Sequence, residues 1–202
     1  CVEKNIEKAG NIMLDKGGYI NVSNYKLYNG NKVEYLCYTE KDYYSCVNMQ
    51  PLFIDHMEKE IHDYSKPKIK KCFNSLIQGY KDKDYSVQED NLSMEIKLNP
   101  ERIEVNINKD MELKRGKETR RLRNFKYVIN SPLYEMGITA QRIANNEAKY
   151  CYFDYSNYSL NHDVTVEKDM IGSGSDSSEI YKIREDNKEL LIAIKSCVLP
   201  GG

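Results

Sequence analysis

No tryptophan occurs in this chain of 202 residues, and phenylalanine appears only 4 times against 17 tyrosines. The aromatic complement is therefore amphipathic, of the kind that serves half-wet surfaces and interfaces. No run approaches the roughly 18 apolar residues of a membrane-spanning helix, and no stretch has the charged-then-apolar layout of a signal peptide. An excess of either charge is missing too. The 30 Lys and Arg stand against 31 Asp and Glu, a net of -1 with a pI near 6.4, which argues against a globally basic nucleic-acid binder. No two cysteines have CxxC spacing, and the three histidines fall outside zinc patterns, so neither a sulfur-based metal clip nor a redox dithiol has its sequence. GSGSDSS (172–178) lacks the Lys and following Ser or Thr of a phosphate-binding loop and reads as a flexible linker. No Ser or Cys occupies a nucleophile elbow.

What is present begins with sulfur. Cys1, Cys37, Cys46, Cys72, Cys151 and Cys197 form an even set spread among Tyr-rich polar segments, which fits oxidised pairs outside the cytoplasm better than six reduced thiols. The expected pairing is Cys37 with Cys46 across a TEKDYYS loop, Cys1 with Cys72, and Cys151 with Cys197, one of fifteen possible connectivities. On the chain-entropy model the short loop contributes roughly 2.7 kcal/mol and each long one roughly 4, as ceilings. Three Asn-x-Ser sequons, at Asn21, Asn91 and Asn157, are about what so asparagine-rich a chain supplies by chance. Because the first residue is Cys1 and the next already read as helix, a signal, an anchor or another domain is expected upstream.

Periodicity gives the elements. Val2, Ile6, Ala9 and Met13 step by three and four, a helix over 2–16 stopped by Gly17 and Gly18. A strand YINV (19–22) is expected next, then a hairpin around Asn29–Gly30. Pro51 and Pro67 open helical runs as far as residue 82, either one kinked helix or two. From 84 to 129 the period changes to two, predicting an antiparallel meander of about four strands. Ser131 and Pro132 start a helix through Leu133, Met136, Ala140, Ile143, Ala144 and Glu147 to about 150. A hairpin within 163–197 closes the chain. Segregated helices and strands predict an α+β fold in a single domain, 1–202: helix and hairpin 1–50, helices 51–82, meander 84–129, helix 131–150 and hairpin 163–197.

Two sets of polar side chains resemble sites only loosely. His56 and Glu60 lie one helical turn apart with His62 nearby, but no third ligand of fixed geometry follows, and a solvated helix face is the better account. Asp154, Tyr155 and His162 share a loop with nothing tying them into acid–base chemistry. The sharpest local feature is KRGKETRRLR, where Lys114, Arg115, Lys117, Arg120, Arg121 and Arg123 oppose Glu118 alone. Such a patch suits phosphate, an acidic glycan or anionic lipid headgroups. Lysine and arginine on a hairpin also guard a strand edge, and this role is favoured.

The fragments CVEKNIEKAGNIMLDKGGYI, YLCYTEKDYYSCVN, CFNSLIQGY, NSPLYEMGITAQRIANNEAKYCYFDY and CVLPGG together resemble an uncharacterised group of surface proteins from small-genome archaea of the DPANN type. GGYI, LCYT, CFNSL and NSPLY are the most specific pieces, and the likeness runs over nearly all of the chain. It implies an exported domain tethered by a pilin-like hydrophobic helix before the first cysteine, and it brings no catalytic residues. The expected function is a non-enzymatic, membrane-anchored, extracellular domain at the cell surface, binding a partner protein or envelope component through Tyr-rich surface. A subunit of a filament or surface layer, with self-association, is the alternative, and a hydrolytic enzyme the third. No cofactor or metal is expected, and nucleic acid is not an expected partner.

Overall fold

A computed structural model describes residues 1–198. The chain is α+β, with α1 (Val2–Leu14), β1 (Tyr25–Tyr28), β2 (Asn31–Tyr38), β3 (Val47–Asn48) and α2 (Phe53–Lys81) in its first part. Then come β4 (Ser86–Glu89), β5 (Ser93–Asn99), β6 (Arg102–Asn108), β7 (Met111–Arg115), β8 (Glu118–Leu122) and β9 (Phe125–Asn130). The last part holds α3 (Leu133–Tyr150), α4 (Tyr155–Asn161), β10 (Thr165–Ile171), β11 (Ser178–Glu185) and β12 (Lys188–Lys195).

The first and last hairpins do not stand apart. They merge into one sheet of order β1-β2-β12-β11-β10, with β3 beside the end of β2. Within it β2 and β12 run parallel, with Tyr35 opposite Ala193 and Cys37 opposite Ile194. Both strands are buried on both faces, which is why LLIAI reads as a continuous apolar run rather than an alternation. The stretch 172–178 is not a free linker but the connection between the paired strands β10 and β11. It is held by Lys26 Nζ on Asp176 (2.8 Å) and by Ser175 Oγ donating to Asp42 (2.7 Å).

The meander also departs from four strands. It has three long strands, each interrupted at the same level, so that β5-β6-β9 and β4-β7-β8 form a near half and a far half. At the crease Asp90 and Asp110 bond through backbone and carboxylate, and the buried Lys109 amine donates to Asp90 O (2.8 Å) and pairs with Glu89. These local acceptors and donors replace ladder bonds and let the strands bend. The near half alternates cleanly, burying Met94, Ile96 and Leu98 against Ile103, Val105 and Ile107.

Helices α1, α2 and α3 lie between that half and the five-strand path of the large sheet. Ile6, Ala9 and Met13 of α1, Phe53, Met57, Ile61 and Ile69 of α2, and Met136, Ala140 and Ile143 of α3 are essentially fully buried in one shared core; each large side chain contributes roughly 1.5–3 kcal/mol. α2 is one helix of 29 residues running through Pro67. Lys68 Nζ donates to Tyr64 O (2.8 Å), next to the carbonyl that proline cannot serve.

YINV is a loop, not a strand. Glu60 Oε2 accepts from Ile20 N (2.7 Å), while Glu34 accepts from the Ser23 amide (2.6 Å), its hydroxyl (3.0 Å) and the Asn24 amide (3.0 Å). Side-chain carboxylates thus satisfy amides that a neighbouring strand would otherwise take. The loop enters through Gly18 at φ 83, where a Cβ would run into the Phe53 ring. Gly18→Ala is therefore expected to cost about 2–4 kcal/mol in urea unfolding. A loss below ~0.5 kcal/mol would show that the turn relaxes freely.

Candidate functional site

The loop from 39 to 52 is laid along α3. Asn48 Nδ2 donates to Asn145 Oδ1 (2.8 Å), Gln141 Nε2 to Pro51 O, and the Met49 amide to Leu36 O (2.9 Å). These anchors turn Tyr43, Tyr44, Val47, Met49 and Leu52 outward, each at least half exposed. At the far end the Cys197 amide donates to Tyr44 O (2.8 Å), and Cys197 bridges to Cys151, which exposed Tyr150 and Tyr152 flank. Two bridges frame the loop: Cys37–Cys46 at a Cα separation of 5.4 Å and Cys151–Cys197 at 5.7 Å, both ordinary for disulfides. The third, Cys1–Cys72 at 6.4 Å, ties the start of α1 to the middle of α2. Together they belong to an oxidising, extracellular type of environment.

Beneath this surface lies a polar group set. Glu147, 1% exposed, accepts from the Tyr181 hydroxyl. Glu179 lies nearby, and Lys168 Nζ pairs with it (2.9 Å) while lying over the Tyr155 and Tyr181 rings. Burial, then the neighbouring Glu179 charge, push the Glu147 carboxyl up to about 7, against the opposing pull of Tyr181 and Lys168. The Tyr181 phenol is raised as well, by burial and by the two glutamates. Ser196 links the layers, its hydroxyl donating to Glu147 O (3.1 Å) and accepting from the Cys46 amide (3.1 Å). A cleft of about 230 Å³ opens near this set, lined by Cys151, Met170, Glu179, Ser196 and Cys197 among others.

Other sequence candidates resolve into structural duties. Glu60 is committed to Ile20 N, His62 Nδ1 lies 2.8 Å from Asp63, and the His56 ring packs against Tyr19 at 4.1 Å with its pKa lowered by burial. Tyr19 in turn is pushed up to about 12 by burial and by Glu34 and Glu60. Among the described residues no three His, Cys, Asp or Glu side chains gather as for a metal ion. Asp154 is the N-cap of α4, accepting from the Asn157 amide (3.1 Å). His162 stacks on Tyr158 at 3.8 Å with Nδ1 2.9 Å from Tyr158 O and Nε2 beside Arg142. Asp154 and His162 are thus each tied to neighbours within α3 and α4 rather than to one another.

The basic stretch is the far half of the meander. Glu112 pairs with Lys114 and with Arg121 (2.8 Å), which holds its carboxyl below the usual range, and Arg123 reaches Asp110 at 3.7 Å. Arg115 lies over the Tyr85 ring at 5.4 Å. Lys117 and Arg120 have no acidic partner among the described residues. Strand β8, carrying Arg120 and Arg121, is an exposed edge of its sheet, the place where charge deters pairing with another chain. Replacing Thr119, Arg120 and Arg121 by Val, Ile and Val should convert the chain to concentration-dependent aggregates in size-exclusion chromatography. An elution profile unchanged from the parent's would deny the basic residues that guarding role.

No family model, no curated protein and no solved structure matches the chain. No helix among the described residues is long and apolar enough to cross a membrane.

The raised Glu147 carboxyl fixes a pH dependence. The folded chain keeps a proton that the unfolded chain releases between pH 4.5 and about 7, so this stability is complete below 4.5 and lost as pH rises through 7. Glu185, raised to about 7 by burial and nearby acids, acts in the same direction; His56 opposes it below 6.5. Asp63, Glu104, Glu112, Glu167, Asp169 and Asp176 have lowered pKa values, so their contribution disappears only in stronger acid. Urea midpoints should therefore be higher at pH 5 than at pH 8, the Glu147 share being at most ~3 kcal/mol. Glu147→Gln should flatten that fall, and a pH profile identical to the parent's would remove Glu147 as its source.

Proposed function

We propose that the chain is a non-enzymatic ectodomain at the cell surface whose tyrosine-rich face, on the 43–52 loop and around Cys151, binds a partner protein or an envelope component. The observation that carries this reading is the loop itself: five large apolar or aromatic side chains, Tyr43, Tyr44, Val47, Met49 and Leu52, at least half exposed on backbone fastened by two bridges and by α3. Rigid aromatic surface of this kind gives contact area at little entropic cost on binding. The disulfides support an extracellular setting, and the likeness to archaeal surface proteins adds anchoring through a hydrophobic helix.

Cell envelopes from the producing cells, mixed with purified chain and sedimented, test the reading. The variant with Tyr43, Tyr44, Val47 and Leu52 all changed to Ser should bind at least about tenfold more weakly than the parent. Equal sedimentation of the two overturns it. Light scattering that grows with concentration for the purified parent alone, and is lost in the variant, would assign the face to filament or surface-layer assembly instead.

A further inference from the structure

Among the described residues, eight other than glycine hold positive φ. Five are scattered over the chain: Asn29, Glu101, Asn124 and Asp186 sit in strand connections, and Asp84 follows the end of α2. The other three, Tyr43 (φ 64), Cys151 (φ 55) and Cys197 (φ 47), converge on one place. Cys151 caps α3 in the left-handed conformation, its amide on Glu147 O (3.0 Å). Cys197 is bonded to it through sulfur and to Tyr44 O through its amide, and the Tyr43 amide donates to Val198 O (3.0 Å). This backbone region suits glycine and strains other residues, and such strain persists only where the surroundings over-determine it. Here one covalent bond joins two of the three strained residues.

Accessibility separates the bridges further. Cys37 and Cys46 are 0% and 3% exposed, whereas Cys151 is exposed. Cys1 is exposed as well, but its partner Cys72 lies in the regular interior of α2. Only Cys151–Cys197 combines access with strained backbone on both sides, the combination that makes a disulfide easier to reduce.

We propose that Cys151–Cys197 is a reducible clasp, opened by an external dithiol ahead of the other two bridges, and that opening it frees the Tyr43–Tyr44 loop. The dithiol's thiolate attacks the sulfur of Cys151, the more exposed residue of the pair. The S–S bond breaks with its electron pair passing to Cys197, which takes up a proton. The reductant's second thiol then displaces Cys151 as a thiol, leaving an oxidised cyclic disulfide and two cysteine thiols. Freed of the bond, Cys151 and Cys197 can leave the left-handed region, and the two amide bonds joining 43–44 to 197–198 lose their anchor. The clasp stands whatever the tyrosine surface binds.

Graded mixtures of reduced and oxidised dithiothreitol, quenched by alkylation and mapped by peptide mass, give the order of opening. Cys151 and Cys197 should be labelled at a roughly tenfold lower reduced-to-oxidised ratio than Cys1 and Cys72, with Cys37 and Cys46 last. Earlier labelling of Cys1 and Cys72, or simultaneous labelling of all six, overturns the clasp. For the release, the variant Cys151→Gly with Cys197→Gly removes the bond while tolerating the backbone. Its Tyr43 amide should exchange hydrogen at least tenfold faster than the parent's, with the other two bridges intact. Unchanged exchange overturns the release. This glycine pair should also have a higher urea midpoint than Cys151→Ala with Cys197→Ala; the reverse order overturns the strain on which the proposal rests.

Discussion

The parallel pairing of β2 with β12 is the constraint from which the rest follows. Strands in one direction need a crossover between them, and here the crossover is nearly the whole chain: α2, the meander, α3, α4 and three strands of the sheet, β3, β10 and β11. Cys46 and Ser196 lie 150 residues apart in sequence and bond directly. That bond sets the 39–52 loop against the chain's last described segment and puts Tyr44, Cys197 and Cys151 in one neighbourhood. A pairing of this separation forms against a large loop-closure entropy. The continuous apolar runs of both strands, buried on both faces, provide the compensation.

Local chemistry was legible in the sequence, and long-range strand pairing was not. The steps Val2, Ile6, Ala9, Met13 marked α1, Asn29–Gly30 marked a hairpin, and Ser131–Pro132 marked the start of α3, because each signal is complete within a few residues. LLIAI carried a hint that its strand is covered on both faces, yet nothing in it names β2 as the neighbour. The crease at Asp90, Lys109 and Asp110 was hidden for a related reason, since alternation continues through it and only the cross-strand bonds reveal the bend. α4 was missed although Asp154 is a good N-cap, because seven residues carry too little periodicity to stand out. The one signal for the buried polar set was Glu147 on the apolar stripe of α3. A carboxyl group at a core position has to find donors or keep its proton, and here it does both.

That carboxyl shows how the layers are held in register. Moving an ionised carboxylate into a packed interior is costly, and the Glu147–Glu179 pair avoids this by retaining a proton while Lys168 balances the remaining charge. The hydrogen bonds that Tyr181 and Ser196 donate to Glu147 are directional, so α3 can dock on the sheet in few rotational settings. Apolar packing alone tolerates small slides of a helix over a sheet. The helix end that this fixes also carries Cys151, so the exposed tyrosine loop inherits its position from a buried acid.

The placement of sulfur is consistent with that division of labour. A core of this size, running through α1, α2, α3 and both sheets, does not need covalent staples in the way that a domain of ~40 residues does. Each bridge accordingly has one member where secondary structure ends: Cys1 at the first turn of α1, Cys46 beside a strand of two residues, Cys197 just past β12. Chain-entropy stabilisation depends only on loop length, and by that measure many other pairs of positions would serve equally. What distinguishes these is that each fixes a segment the hydrogen-bond ladders leave loose. Two of the three converge on the tyrosine loop, so the cross-links define that outer surface more than they sustain the interior.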